Sequence, residues 1–204
     1  MKKIVLITLF LTLLQPVSGR DKTQIEKPIV DKRVELVSIV FRLSGNREYS
    51  NNILQGYTKD IDQYFSRFAD HELINFAKLL NKTKSISYDA PVSVAITLDK
   101  NLNPVIKYTD STFARWSSED AGRFVRLLKK FSKDTKSERF FKEHSDIYRT
   151  IEAGFSDVYK NLDISWFGAF FGVESKEKFN VVIAPGIGVN NYGPSFINAK
   201  GKIE

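Results

Sequence analysis

Phe179-Asn-Val-Val-Ile-Ala-Pro-Gly-Ile-Gly-Val-Asn-Asn-Tyr-Gly-Pro194 is the stretch on which the reading of the fold turns. Val181-Val182-Ile183-Ala184 has the apolar continuity of a strand covered on both faces. Such a strand needs strand neighbours beside it and a layer of helices over it. The residues that follow are turn formers, because Gly reaches positive φ without steric cost and Asn tolerates it. Residues 176–204 are therefore expected to begin a sheet with a Gly/Asn-rich turn. Few residues follow the strand before Glu204, so the sheet is further expected to be incomplete in this chain.

Working outward from that strand, the periodicity becomes helical. Residues 32–175 are expected to form a mainly helical layer. Within it, residues 34–43 are so densely apolar that strand and buried helix compete; the 37/41 and 40/43 spacings favour helix. Tyr57, Ile61, Tyr64, Phe65 and Phe68 then fall on one helix face, and Asp70 is placed to cap a helix carrying Leu73, Phe76, Ala77 and Leu80. Asp89-Ala90-Pro91 reads as a helix start, since proline is tolerated in the first turn, although the β-branched residues of 92–98 keep a strand open. Residues 99–112 read as a long loop or irregular hairpin. Ser117 is placed to cap a helix burying Ala121, Phe124, Val125, Leu128 and Phe131. One longer helix is expected from Phe140 to Val158, slackened near Gly154, and Asp163 is placed to cap a short aromatic helix that Gly172 ends. The fold class is α+β, mainly α: a helical layer leading into a small sheet at the C-terminal edge.

The N-terminus reads as an export signal over residues 1–19. Lys2 and Lys3 form a basic start, residues 4–14 an apolar run too short to span a bilayer, and Val17-Ser18-Gly19 a small-residue cleavage site. Residues 20–31 are polar and read as a flexible leader. The expected location is periplasmic or extracellular, with no integral membrane segment after cleavage. The chain has 31 Lys and Arg against 24 Asp and Glu, a net charge of +7. Removal of the signal, which carries two lysines and no acid, lowers that to +5. The basic residues are interleaved with acids along most helices, which reads as a solvated mixed-charge surface, and no nucleic-acid module is recognisable. Cysteine is absent, so neither disulfides nor thiolate metal sites are available.

Chemistry-bearing motifs are sparse. The chain has only two histidines, His71 and His144. His71-Glu72-Leu73-Ile74-Asn75 resembles the zinc-peptidase helix motif HExxH with Asn75 in place of the second ligand, and a capped helix start explains it fully. His144 reads as an exposed surface histidine. Asp60 and Asp62 face different sides of their helix, and Glu119-Asp120 belongs to a helix start. There is no G-x-S-x-G elbow, and the glycines at 186, 188 and 193 precede no helix that could make them a dinucleotide loop. The segment 190–193 is the most site-like: Asn190, Asn191 and Tyr192 offer donors beside a strand edge able to hold a peptide through main-chain hydrogen bonds. A plain hairpin turn explains the same residues.

Several stretches taken in order resemble a known family. Arg33-Val-Glu-Leu-Val-Ser-Ile-Val-Phe-Arg-Leu-Ser-Gly-Asn-Arg-Glu-Tyr49, Ser87-Tyr88-Asp89-Ala90, Trp116-Ser-Ser-Glu-Asp120 and the strand and turn from Val181 to Pro194 are similar to secreted bacterial proteins grouped as a domain of unknown function. That family in turn looks like the gluzincin-type zinc metallopeptidases. The resemblance covers nearly all of residues 30–196. It implies that the 179–196 segment borders an active-site cleft, with Asn190, Asn191, Tyr192 and Gly193 as substrate-edge candidates and a peptide or protein as partner. In that family an HExxH-type helix follows the strand; no such helix occurs here, so no zinc ligand and no catalytic glutamate carries over. The resemblance therefore implies the N-terminal part of a metallopeptidase-like protein, catalytically incomplete, with no cofactor unless a downstream region supplies zinc ligands. The alternative is a complete, non-enzymatic periplasmic helical binding module. A third possibility, a basic surface that binds anionic glycans or lipids, predicts strongly salt-dependent binding.

Overall fold

The computed structural model describes residues 25–163, 165–172 and 179–197. The segment read as an export signal, residues 1–19, lies outside them, as does the end of the expected sheet at 198–204. The chain is α+β and mainly helical, with one two-stranded parallel sheet among the described residues.

Helix α1 (Lys32–Leu43) is the centre of the molecule. Asp31 caps it by accepting the Arg33 N–H at 2.8 Å, and every residue from Val34 to Phe41 is buried. The helix has no solvated face because neighbours cover it on several sides: α2 (Gln55–Phe65), α3 (Glu72–Lys84) and α4 (Ala90–Ala95) all pack against it. Helix α5 (Ser118–Thr135) lies across α3. Ser117 accepts the Asp120 N–H to cap α5, as its sequence position predicts. Aromatic rings knit the core: Phe41 to Phe124 at 5.9 Å, Trp116 to Phe124 at 5.1 Å, and Phe65 to Phe140 at 5.0 Å. Residues 92–95 belong to α4, and Leu98 bridges antiparallel to Pro104 in a tight hairpin.

Two helix ends depart from the expected pattern. Asp70 does not cap α3; His71 does, its ring Nδ1 accepting the Leu73 N–H at 3.1 Å. The Asp70 carbonyl instead accepts from the Asn75 side chain. The helix expected from Phe140 to Val158 is three pieces: α6 (Ser137–Glu143), α7 (Ser145–Gly154) and α8 (Ser156–Lys160). One bend falls at Phe155, directly after Gly154, a weak helix former. The other falls at His144, which is not exposed. Its ring packs 4.1 Å from that of Phe140, and its Nε2 lies 3.1 Å from the Asp60 carboxylate. Helix α9 (Ser165–Phe171) follows Asp163, which accepts the Ser165 N–H at 2.9 Å, and Gly172 leaves it at φ +69.

The sheet corrects the reading of residues 26–30 and of how the strand at 180–183 is covered. Residues 26–30, within the expected leader, are strand β1 (Glu26–Val30). It pairs in parallel with β2 (Asn180–Ile183), Ile29 opposite Val182 and Val30 opposite Ile183, and Asp31 N donates to Ile183 O at 3.1 Å to extend the ladder. Two parallel strands are marginal by themselves. Here Glu152 of α7 accepts the Val30 N–H at 2.8 Å, and Tyr159 of α8 donates to Ile25 O at 2.7 Å, so the helices fasten β1. The expectation that the strand is covered on both faces does not hold, because only Ile183 of β2 is buried.

Candidate functional site

The four stretches that resemble a family lie far apart in sequence and come together at one place. The first contributes Asn46 and a 3₁₀ turn, Arg47–Tyr49, just after α1. Tyr49 is fully buried, and its hydroxyl donates to Tyr88 O at 2.5 Å. Tyr88 adopts φ +54, which turns its carbonyl inward while its side chain stays exposed. Ser87 lies with its hydroxyl 2.9 Å from Asn46 Oδ1 and 3.0 Å from Glu48 Oε2, two acceptors for one proton. From the third stretch, Trp116 donates its indole N–H to Ala90 O at 2.8 Å, and the preceding Arg115 pairs with Asp89. Burial pushes the Glu48 carboxyl upward, but hydrogen bonds from its own backbone, Ser87 and Tyr88, with Arg47 nearby, hold it below the ordinary range.

The fourth stretch arrives through β2 and its turn. Tyr192 packs against the core with its hydroxyl buried, and the Asn190 side chain is the polar group beside it, its hydrogen bonding opposing the upward shift of the phenol. Burial first, then the nearby Glu48, Asp89 and Tyr88, raise the Tyr192 phenol above its ordinary value. Asn46 Nδ2 is buried and unpartnered. Of the sequence-derived edge residues, Tyr192 therefore joins the cluster, Asn190 is half-buried beside it, and Asn191 and Gly193 are exposed. Gly193 has open space around it, so a side chain would fit there. The glycines that the turn needs are the earlier two. Gly188 stands at φ +95, and a Cβ on it would overlap the Asn51 amide and come within 3.0 Å of Glu48 O. A Cβ on Gly186 would come within 3.2 Å of Glu35 Oε2.

Glu35 is what holds this turn to α1. It has no exposed surface, and its two oxygens accept from Gly186 N at 2.8 Å and from the Tyr57 hydroxyl at 2.5 Å. Tyr57 is linked in turn to Tyr148 of α7, hydroxyl to hydroxyl at 2.7 Å. Burial raises the Glu35 carboxyl to about 7, against the opposing hydrogen bonds from Tyr57 and Gly186. Burial and the Glu35 charge also lift the phenols of Tyr57 and Tyr148 far above their usual range. Sequence reasoning missed Asn46, Glu48, Ser87 and Glu35 as site residues. A signal for Glu35 was present: a lone carboxylate inside the apolar run Val34-Glu35-Leu36-Val37 must find buried donors.

The two histidines are not placed as a zinc pair. His71 spends Nδ1 on the α3 cap and turns Nε2 to Asp134 at 3.2 Å, while His144 is held by Phe140 O and Asp60. Among the described residues no three His, Cys, Asp or Glu side chains gather as metal ligands.

A family model described as a domain of unknown function (DUF4932) matches residues 28–203. The chain belongs to that family. The DUF4932 match takes in all four convergent stretches together with Glu35, β2 and the last three residues of β1, so the cluster around Tyr49 and the clamped turn are parts of one family domain. No curated protein and no solved structure matches the chain.

Proposed function

We propose that this DUF4932 domain is an exported, metallopeptidase-like module that holds an extended peptide along β2 and the 190–193 segment, with any zinc ligands supplied from outside this chain. The observation that carries the reading is the state of β2. It has β1 along one edge, and among the described residues no strand pairs along the other. An unpaired strand edge offers a row of main-chain donors and acceptors to an added peptide strand. A rigid edge binds with less ordering cost. Here Gly186 N is clamped by Glu35, and Gly188 is set against Asn51 and Glu48. Asn190 and Asn191 stand just beyond, with side-chain amides that can both donate and accept. Support for export comes from the first residues: the two lysines, the short apolar run and the small residues ending at Gly19.

The reading is tested with oxidised insulin B chain as the extended-peptide probe. Hydrogen exchange of residues 180–183 should slow on adding the peptide, and a photo-crosslinking residue placed at exposed Asn191 should capture it. Unchanged exchange and no crosslink would overturn the proposal. N-terminal sequencing of protein recovered outside the cytoplasm should begin after Gly19; an intact Met1 terminus would overturn the export part. The alternative, a non-enzymatic helical module that binds a folded partner, is favoured by the closed core around α1. It predicts that such a partner leaves exchange in β2 unchanged.

A further inference from the structure

The positive charge of this protein is not spread as its sequence pattern implies. One open groove, with a volume of about 1070 Å³, runs between the end of β1 and start of α1, the hairpin at 98–104, and the C-terminal half of α5 with the start of α6. Seven Lys and Arg residues line it against two acids, a local balance of +5 in a chain whose total is +7. Both acids are already matched, Asp31 by Arg33 and Glu138 by Lys32, and Arg139 is paired with Glu143 outside the groove lining, which leaves four lysines. Lys100, Lys133 and Lys136 are exposed and have no acidic partner among the described residues. Lys129 is turned to Asn103, a neutral amide. A further carboxylate, Asp99, interacts electrostatically with Arg33 and Lys129, and its oxygens accept the N–H groups of Asn101 and Asn103 within its own hairpin.

Stabilisation of the α5 C-terminus accounts for Lys133 and Lys136, because cations there complement the helix dipole. It does not account for Lys100, which comes from a different segment and faces the same space. Like charges brought together from separate segments repel, and a groove that gathers them without matched acids is arranged for an anion. Its floor includes Leu36 and Phe141, both buried, so the cations stand on a fixed apolar base.

We infer that this groove binds a ligand carrying clustered phosphate or sulfate oxyanions, through Lys100, Lys129, Lys133 and Lys136. The same chemistry can be presented by a free polyanion or by the headgroups of an anionic membrane surface. The site is separate from β2 and the 190–193 segment, so it stands whether or not a peptide binds there.

Two probes distinguish the sources: tripolyphosphate in solution, followed by calorimetry, and vesicles of phosphatidylglycerol in phosphatidylcholine, followed by co-sedimentation. The expected result is binding of at least one probe that weakens about tenfold or more between low and physiological salt. The double variant Lys100→Glu/Lys133→Glu should lose about tenfold in affinity or more. Lys78→Glu/Lys82→Glu on the exposed face of α3 makes the same change in net charge and should stay within about twofold of the parent. Tripolyphosphate binding with this pattern assigns a free polyanion, and vesicle binding alone with this pattern assigns a headgroup. Absence of binding to both probes at low salt overturns the inference. Equal losses in the two double variants also overturn it, because they would show only diffuse attraction. Circular dichroism of each variant establishes that it is folded.

Discussion

Helices α1 and α5 on one side and α8 and α9 on the other all carry large apolar side chains, yet those side chains end in opposite states. Val37, Ile39, Val40 and Phe41 of α1 are completely enclosed, as is Phe124 of α5. Val158 of α8 and Phe170 of α9 remain 64% and 66% exposed. Both regions supply apolar side chains; what differs is how many elements press on each helix. Helix α1 is covered by α2, α3 and α4, whereas α7 and α8 lean on β1 alone among the larger contacts outside the helical series. Apolar periodicity therefore says which face of a helix seeks cover, and the number of neighbours decides whether it finds any.

The largest test of that contrast is truncation of one aromatic in each region. Phe124→Ala removes a ring packed between Phe41 and Trp116 and should cost about 3–5 kcal/mol in denaturant unfolding. Phe170→Ala should stay within about 0.5 kcal/mol. Similar losses at both positions would erase the distinction.

Glu35 ties the two regions together and gives the next effect. Glu35→Ala should destabilise by about 3 kcal/mol, since Gly186 N and the Tyr57 hydroxyl would lose their acceptor in a buried place. The pH dependence follows from the same group. Its carboxyl titrates at about 7 when folded against 4.5 in its unperturbed state, so the folded protein binds the proton more tightly between those values. The associated stability is fully present below about pH 4.5 and is lost as pH rises through 7, a change of roughly 3 kcal/mol. The difference in unfolding free energy between the parent and Glu35→Gln, measured from pH 4.5 to 8, should carry this slope. A constant difference across that range would refute it.

The clamped turn supplies a smaller effect. Gly188→Ala places a side chain at φ +95 against Asn51 and should cost about 1–3 kcal/mol, read as faster hydrogen exchange at Val182 before any change in α1. The smallest pair compares two caps. Ser117→Ala should lower global stability by about 1 kcal/mol because α5 belongs to the enclosed core. Asp163→Ala, which removes the corresponding bond at the start of α9, should leave the main unfolding transition within about 0.3 kcal/mol, because α9 is outside that core.

Much of the fold was legible from local chemistry. Ser117 caps α5 as its position predicts, Pro91 marks the first turn of α4, and Gly172 ends α9. The misreadings share a cause. Asp70 lost the cap of α3 to His71, whose ring also seats against Phe131. His144 passed for a surface residue because its partners, Phe140 and Asp60, come partly from a distant helix. The candidate site was legible in outline only. Tyr192 lies in the buried cluster and Asn191 and Gly193 stand exposed beside it, whereas Ser87, Glu48 and Asn46 gave no signal until the folded chain set them side by side.

The sequence by itself determined where most helical segments lie, several of their ends, the mainly helical class and the presence of a strand near residue 181. These depend on hydrogen bonds and side-chain contacts within a few positions of each residue, and such interactions are written in short spacings. The tertiary structure alone decided that residues 26–30 are the parallel partner of that strand, that Glu35 meets Gly186 151 positions away, and that lysines from separate segments face one groove. Each requires closing a long loop, and whether that closure is favourable depends on the packing of everything between its ends.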